Sequence, residues 1–433
     1  MTRPAAISAP AGSPPAHRDA NVLRWLGALT LSLLGDNVYF LALSWAAIHV
    51  GGPAEAGLVL AAGSLPRVVL MLGGGVLADR LGPRRVMIGS DLTRCAVILA
   101  MAGTLAVSTP GVWLLVLLGL VFGAVDALFL PSVGALPPRI TGPDQLARVQ
   151  GLRGLATRAA TIGGSPLGGL ALALGGPASA FAVAGAMFAV SVPLLIALKV
   201  APLPRADGED AGARGTPWQD LADGLRHIRR DRVLAPLVLV IAIGDLGFAG
   251  PLNIGLTLLA DEHGWGAAGL GWIVGGFGLG AAVASLLLAA HGGVPRAGLV
   301  QQGCLALGAV AIGALAFAPS LGVAVGVGVT IGLTAGLSGA LCAALLQTAA
   351  DPAYLGRVTS VAALSSLGLA PLTYPLSGAA IAAWGTQPVF TVSAAFVALG
   401  ALVGLGTRSL RCAELPGPRA GAAEAAPSRP AGD

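Results

Sequence analysis

The chain has 433 residues, 55% of them hydrophobic and 10% charged, with a formal net charge of +5 and a mean hydropathy of +0.82. An ordinary soluble chain carries about 25% charged residues, so water is not the main solvent, and the basic residues stand in short clusters between apolar runs rather than in a patch that suits nucleic acid. The one lysine, Lys199, follows no glycine-rich loop, which excludes a Walker A phosphate loop and self-contained ATP-driven pumping.

Residues 1–21 are Pro/Ala-rich, without the apolar stretch and small-residue cleavage site of a signal peptide, and read as a disordered tail. Apolar runs of about 20 residues, long enough to span a bilayer, then recur at 22–49, 56–79, 86–107, 111–136, 150–174 and 178–199, forming a first unit over 22–199. The longest polar stretch, 200–232, is a linker. Its part from Pro217 to Arg232 places Leu221, Leu225 and Ile228 at helical spacing, as on an amphipathic surface helix. A second unit over 233–407 holds runs at 233–259, 267–290, 297–317, 320–347, 359–383 and 387–407, and residues 408–433 form a second tail. The expected fold class is an all-α integral membrane protein with twelve transmembrane helices.

Loop charges orient the spans, because Lys and Arg are retained on the cytoplasmic side. The loops beginning near Val50, Ser108, Gly175, Ala260, Ala318 and Trp384 contain neither residue, whereas the alternate loops carry Arg80, Arg84 and Arg85, then Arg139 and Arg148, the arginines of the linker, Arg296, and Arg357. Both termini and the linker are therefore expected in the cytoplasm, which requires an even number of spans.

The two units repeat one another. Gly35-Asp36 and Gly244-Asp245 are 209 residues apart, and the same offset relates PDQLARV at 143–149 to PAYLGRV at 352–358, Pro166 to Pro375, Gly169 to Gly378, Gly119 and Gly123 to Gly328 and Gly332, and Cys95 to Cys304. Each unit holds an even number of spans, so the copies are parallel. Two pseudo-symmetric six-helix bundles are expected to enclose a midplane site and to rock against one another.

Between the second and third spans stands Gly75-Val76-Leu77-Ala78-Asp79-Arg80-Leu81-Gly82-Pro83-Arg84-Arg85. This resembles the cytoplasmic loop signature of the major facilitator superfamily, G-x-x-x-D-R-x-G-R-R, with Pro83 in place of the first basic residue after the glycine. The resemblance implies the major facilitator fold over essentially the whole chain. It also implies a conformational-switch loop built from Gly75, Asp79, Arg80, Gly82, Arg84 and Arg85, which latches the outward-facing state. Asp91 and Arg94, three apart on the third span, are expected to extend that cytoplasmic charge network. The plainer alternative is that these arginines only fix topology. The corresponding loop around His291 to Arg296 has no acidic residue, so a latch there is asymmetric. The segment ending in Leu34-Gly35-Asp36, with Ala42-Leu43-Ser44-Trp45 and the Gly356-Arg357-Val358 motif, is similar to the drug and siderophore exporter branch, which includes macrolide-efflux and enterobactin-export proteins.

Asp36, Arg67, Asp126 and Asp245 fall near the centres of spans one, two, four and seven. A charge there costs about 2.5–3.5 kcal/mol on insertion scales, so each must face a polar interior or find a partner. In the family the resemblance implies that spans one, four, seven and ten line the central cavity, so the three carboxylates, on three of these spans, are expected to converge there. Desolvation favours a neutral carboxyl and a nearby arginine favours the anion, so movement between dry and wet surroundings suits proton coupling. Asp36 or Asp126, modulated by Arg67, is the expected proton carrier, with Asp245 joining it or meeting a cationic part of the substrate. The alternative is a static Asp–Arg pair holding spans together. Asn37, Tyr39, Phe40, Phe129, Phe248, Asn253 and Tyr374 lie at comparable depths and are candidates for an apolar pocket with a few polar groups, which takes an amphipathic organic molecule.

Four cysteines and five scattered histidines form no metal spacing and no nucleophile–base constellation. No enzyme activity, cofactor or metal is expected. The reading is a secondary active transporter of a bacterial inner membrane, monomeric, exporting a lipophilic drug, siderophore or secondary metabolite in exchange for protons by alternating access. Proton-coupled uptake of a small metabolite is the alternative within transport, and a non-transporting receptor or scaffold the alternative outside it.

Overall fold

The computed structural model describes residues 18–142, 145–200, 217–291, 294, 296–351 and 354–415, without the side chains of 71–80, 147, 217–221, 289, 291 and 356. Among the described residues the only regular elements are helices. The first half comprises α1 (Ala20–Gly51), α2 (Pro53–Leu81), α3 (Pro83–Val107), α4 (Val112–Ala135), the single turn α5 (Pro137–Ile140) and α6 (Leu146–Ile196). The linker helix α7 (Pro217–Arg230) precedes α8 (Leu234–Gly250), a π-helical turn (Pro251–Gly255), α9 (Leu256–Glu262), α10 (Gly266–His291), α11 (Ala297–Leu315), α12 (Leu321–Ala349), α13 (Leu355–Leu367), α14 (Ala370–Trp384), α15 (Thr386–Gly406) and the short α16 (Arg408–Arg411).

Ten stretches of described helix are long and apolar enough to cross a membrane. One of them is two spans. In α6, Gly175 (φ −150°) and Gly176 (φ +67°) leave helical geometry, and the positive φ, costly for any residue with a Cβ, turns the chain back between the expected fifth and sixth spans. The eleventh span, expected as one run over 359–383, is instead broken between α13 and α14 at Gly368 and Leu369, just before Pro371 occupies the first turn of α14. Separating α6 at its turn and joining α13 to α14 gives the twelve spans. The seventh span carries its own irregularity, because Pro251 lacks an amide hydrogen and the helical ladder widens into the π turn.

Helix ends are tied by local chemistry. The Asp19 carboxylate accepts the Asn21 amide at 2.7 Å to start α1. The Asn21 side chain in turn accepts from the Lys199 amide at 2.8 Å and donates to its carbonyl at 2.5 Å, joining the first and last spans of this half. Asp231 accepts the amides of Val233 and Leu234 at 2.7 and 2.8 Å ahead of α8. Gly82, at φ +85°, makes the tight turn from α2 into α3.

Packing divides the chain in two. In the first half α1 and α3 lie on α6, and α4 lies on α2 and α3; in the second, α12 lies on α10 and α11, and α15 on α8 and α11. The halves meet where α6 packs on α10 and α14 packs on α2. These two seams are copies of one another. At Gly169 a Cβ would approach the Ala267 carbonyl and the Gly271 Cα, and at Gly378 it would strike the Pro53 carbonyl and approach the Gly57 Cα. Gly169 and Gly378 are 209 positions apart, while Pro53 to Ala267 and Gly57 to Gly271 are each 214 apart. A two-fold relation between the halves therefore brings span five onto span eight and span eleven onto span two, with glycine allowing the backbones to touch. Bulky apolar side chains cover the outside, with Trp113 69% and Trp384 71% exposed at the start of α4 and the end of α14, where an aromatic belt meets the membrane interface. The linker helix α7 packs on α13, burying Ile228 and leaving Leu225 at 47% exposure.

Candidate functional site

The first half holds a cluster of five charged side chains. Arg94, on α3, is fully buried and lies at its centre. Its Nη2 pairs with Asp126 of α4, and its Nη1 lies 3.4 Å from Asp91 Oδ1, one turn back on α3, and 3.7 Å from Asp36 Oδ1 of α1. Arg67 of α2 pairs with the other oxygen of Asp126. Three phenyl rings enclose the Arg94 guanidinium, Phe129 at 4.3 Å, Phe122 at 5.1 Å and Phe188 at 5.6 Å, so cation–π attraction replaces part of its lost hydration.

The carboxylates are unequally satisfied. Asp91 accepts the hydroxyls of Ser32 at 2.6 Å and Ser191 at 2.5 Å besides its contact with Arg94. Asp126 receives both guanidinium groups. Asp36 is the least satisfied, since its Oδ1 is buried and accepts no hydrogen bond and its nearest cation is the 3.7 Å contact with Arg94. With all five groups ionised, three negative charges face two positive ones. Arg67 leans on the Phe40 ring at 5.6 Å, which connects the cluster to the seam between the halves.

This geometry changes the sequence reading in several places. Asp91 and Arg94 belong to the intramembrane cluster, not to the cytoplasmic loop network expected for them. Asp245 does not join Asp36 and Asp126; the Ser366 hydroxyl donates to it, and it lines a separate cavity in the second half. Phe129 faces Arg94 and the apolar cluster around Trp25 and Val133, and lines neither of the two cavities described below. Asn37 donates to the Leu33 carbonyl at 2.7 Å and packs on Gly164 of α6, so close that a Cβ on that glycine would meet it. It lies at a helix contact and likewise lines neither cavity. Of the loop residues, Gly82 makes the turn already described, Arg84 donates to the α6 carbonyls of Leu195 at 3.1 Å and of Ile196, and Arg85 is exposed. The surroundings of Gly75 and the side chains of Asp79 and Arg80 lie outside what is described.

The remaining candidates line two cavities. One of about 200 Å³, at the seam, is bounded by Tyr39, Phe40, Arg67 and Phe122 from the first half and by Asn253 and Tyr374 from the second. Tyr39 and Phe122 stack there with ring centroids 3.7 Å apart. The other, about 660 Å³, is lined mainly by the second half, with Asp245, Phe248, Phe277, Gln301 and Ser338 in its wall, and Arg158 of α6 reaching it from the first half. Arg158 was not singled out from the sequence, although of the two arginines in the apolar run 150–174, Arg153 and Arg158, it is the one deeper in the run. Cavities of this size with apolar walls and a few polar groups hold drug-sized organic molecules.

Residues 25–371 match the sequence pattern of the Major Facilitator Superfamily. The chain belongs to this superfamily. It is 25% identical over 351 residues, 80% of each chain, to the enterobactin exporter EntS of Shigella boydii serotype 18. It is 27% identical over 290 residues, 66% of each chain, to the EntS of Shigella dysenteriae serotype 1. Among solved structures it is similar to the nucleoside transporter NupG, with TM-score 0.69 at 15% identity, covering 89% of this chain and 98% of that one. It is also similar to a D-xylose-proton symporter, with TM-score 0.68 at 13% identity, covering 89% and 97%; these two likenesses establish the fold. The chain is thus a multi-pass membrane transporter of the major facilitator type, not an enzyme. Its partners are a lipid bilayer and a small-molecule substrate.

Proposed function

We propose that this transporter exports an amphipathic organic molecule, such as a siderophore or lipophilic secondary metabolite, from a bacterial cytoplasm in exchange for protons, with Asp36 as the proton carrier. The observation that carries the coupling is the imbalance of three carboxylates over two guanidinium groups, together with the Asp36 oxygen that accepts no hydrogen bond. A proton on Asp36 balances the cluster. Its loss leaves one uncompensated negative charge in a low-dielectric interior, which favours a state that wets the site. Each protonation state then prefers a different exposure of the cluster, as alternating access requires.

The two units 22–199 and 233–407 are the bodies that rock, and the arginine-rich loops put both termini and the 200–232 linker on the cytoplasmic side of the inner membrane. On that orientation Ser44, His49 and Asp261 stand at the outer end. There Ser44 donates to the Asn253 carbonyl at 3.2 Å and His49 lies 3.6 Å from Asp261, contacts that hold the outer end closed. The Asp79 loop latches the opposite state. Export, rather than uptake, is supported by the exporter relatives, and the larger cavity, with Phe248 and Phe277 as its aromatic wall, is the substrate chamber.

The test uses the purified chain in vesicles with an imposed pH gradient and enterobactin or ethidium as probe. Asp36→Asn should abolish gradient-driven accumulation while leaving probe exchange at equal pH. Gradient-driven transport by Asp36→Asn at the wild-type rate overturns the assignment.

A further inference from the structure

The larger cavity holds two charges that do not meet each other. Arg158, on the fifth span, reaches the cavity from the first half, and among the described residues it has no hydrogen-bond or ion-pair partner. Asp245, on α8, faces the cavity from the second half with, among the described residues, only the Ser366 hydroxyl as a donor and no cation within ion-pair distance. A guanidinium and a carboxylate in a partly desolvated wall each call for a counter-charge, and a chamber left with one of each is satisfied by a ligand that brings both. Between them the wall is apolar and aromatic, with Phe248 and Phe277 5.9 Å apart, and Gln301 and Ser338 supply neutral hydrogen-bonding groups.

We propose that the cavity selects two-ended, zwitterionic amphipaths, with an anionic group such as a carboxylate against Arg158, a basic nitrogen against Asp245, and an apolar or aromatic body between them. This rests on the reading of the larger cavity as the substrate chamber. Because Arg158 belongs to one half and Asp245 to the other, such a ligand neutralises both walls and bridges the two rocking bodies. A singly charged amphipath satisfies one wall only.

Three probes that share a naphthyl body test this: naphthylalanine as the zwitterion, 1-naphthylacetate as the anion and 1-naphthylmethylamine as the cation. Binding to the intact purified chain in nanodiscs is read by calorimetry. Naphthylalanine should bind tightest. Arg158→Gln should weaken naphthylalanine and naphthylacetate about tenfold, the size of one ion pair's contribution, without weakening the amine, and Arg158→Lys should restore most of the loss. Asp245→Asn should weaken naphthylalanine and the amine and spare naphthylacetate. Gly339 lines the cavity with open space beside it, so Gly339→Phe fills the chamber without a backbone clash. If Gly339→Phe abolishes binding but the charge variants do not discriminate among the probes, the chamber reading stands and the zwitterion proposal falls. If Gly339→Phe leaves binding unchanged, or no probe binds the wild type, the chamber reading itself falls, and the proposal with it.

Discussion

Ser44 and Asn253 are 209 positions apart, the offset that relates the two halves, and the Ser44 hydroxyl donates to the Asn253 carbonyl at 3.2 Å. Equivalent positions of the first and seventh spans thus touch across the two-fold axis. The Ser44 hydroxyl also lies 3.0 Å from that of Thr257, one turn further along the seventh span. Side chains this close admit a disulfide, and cross-linking them should lock the halves at this end. In a variant with the native cysteines at 95, 304, 342 and 412 replaced by serine or alanine, Ser44→Cys with Thr257→Cys should transport only under reducing conditions. Equal transport by oxidised and reduced vesicles would show that this contact need not open.

The duplicated glycines of spans four and ten make a second prediction. A Cβ at Gly123 would strike the Gly63 carbonyl of α2, and one at Gly332 would strike the Phe277 carbonyl of α10. Backbone on both sides leaves no flexible neighbour to yield. Gly123→Ala and Gly332→Ala should each cost about 1–3 kcal/mol through overpacking and lower the thermal unfolding midpoint in detergent by similar amounts. Gly339→Ala, on the same helix but with open space beside it, is the control and should leave the midpoint within error of the wild type.

Arg84 offers a test of a humbler role within the loop. Its guanidinium donates to carbonyls in the last turn of α6, where partial negative charge gathers. Arg84→Ala should loosen that turn by about 1 kcal/mol, seen as faster amide exchange around residues 195–199, whereas Arg85→Ala, an exposed neighbour, should leave exchange there unchanged. Equal exchange in the two variants would remove the capping role.

The sequence made some of this visible and hid the rest for physical reasons. Asp36, Arg67 and Asp126 stand out because a charge inside an apolar run is rare, and Arg67 and Asp126 do meet. The twelve spans and the turn at Gly175 were legible from hydropathy and loop composition, but the break at Gly368 was not, since neighbouring Gly and Pro are common in membrane helices that remain whole. Asp91 and Arg94 were read with the loop they follow, although Arg94 is eleven residues past Pro83, about 16 Å along a helix at 1.5 Å per residue. Depth, not proximity to a loop, decided its partners. Phe129 and Asn37 show a different limit. Their depth was right, but the face of a helix that meets a cavity depends on its neighbours, and one faces Arg94 while the other faces Gly164. Asp245 was expected to converge with Asp36 and Asp126 because span seven lines the cavity, but depth and span do not fix which side of a cavity a side chain reaches, and it lines the second-half cavity beside Ser366.

The charge count in the first half leads to a sharper prediction than loss of function at each member. Arg94 is the structural centre, and Arg94→Gln leaves Asp91 and Asp126 buried with too few donors, a change that costs about 3–5 kcal/mol for a broken buried pair and should lower the unfolding midpoint more than Asp36→Asn does, because Asp36 Oδ1 has no hydrogen bond to lose. Asp91→Asn is the informative variant. It keeps a polar side chain between Ser32 and Ser191 but leaves two carboxylates, Asp36 and Asp126, facing two guanidinium groups. The cluster is then balanced with Asp36 ionised, and a proton on Asp36 would create a surplus positive charge. Proton-driven transport should therefore fail in Asp91→Asn although Asp36 is intact, while probe exchange at equal pH continues. The double variant Asp91→Asn with Arg67→Gln restores a surplus carboxylate and should recover part of the pH-gradient response, measured in the same vesicles. If Asp91→Asn retains full gradient-driven transport, the balance of charge is not what sets the proton on Asp36.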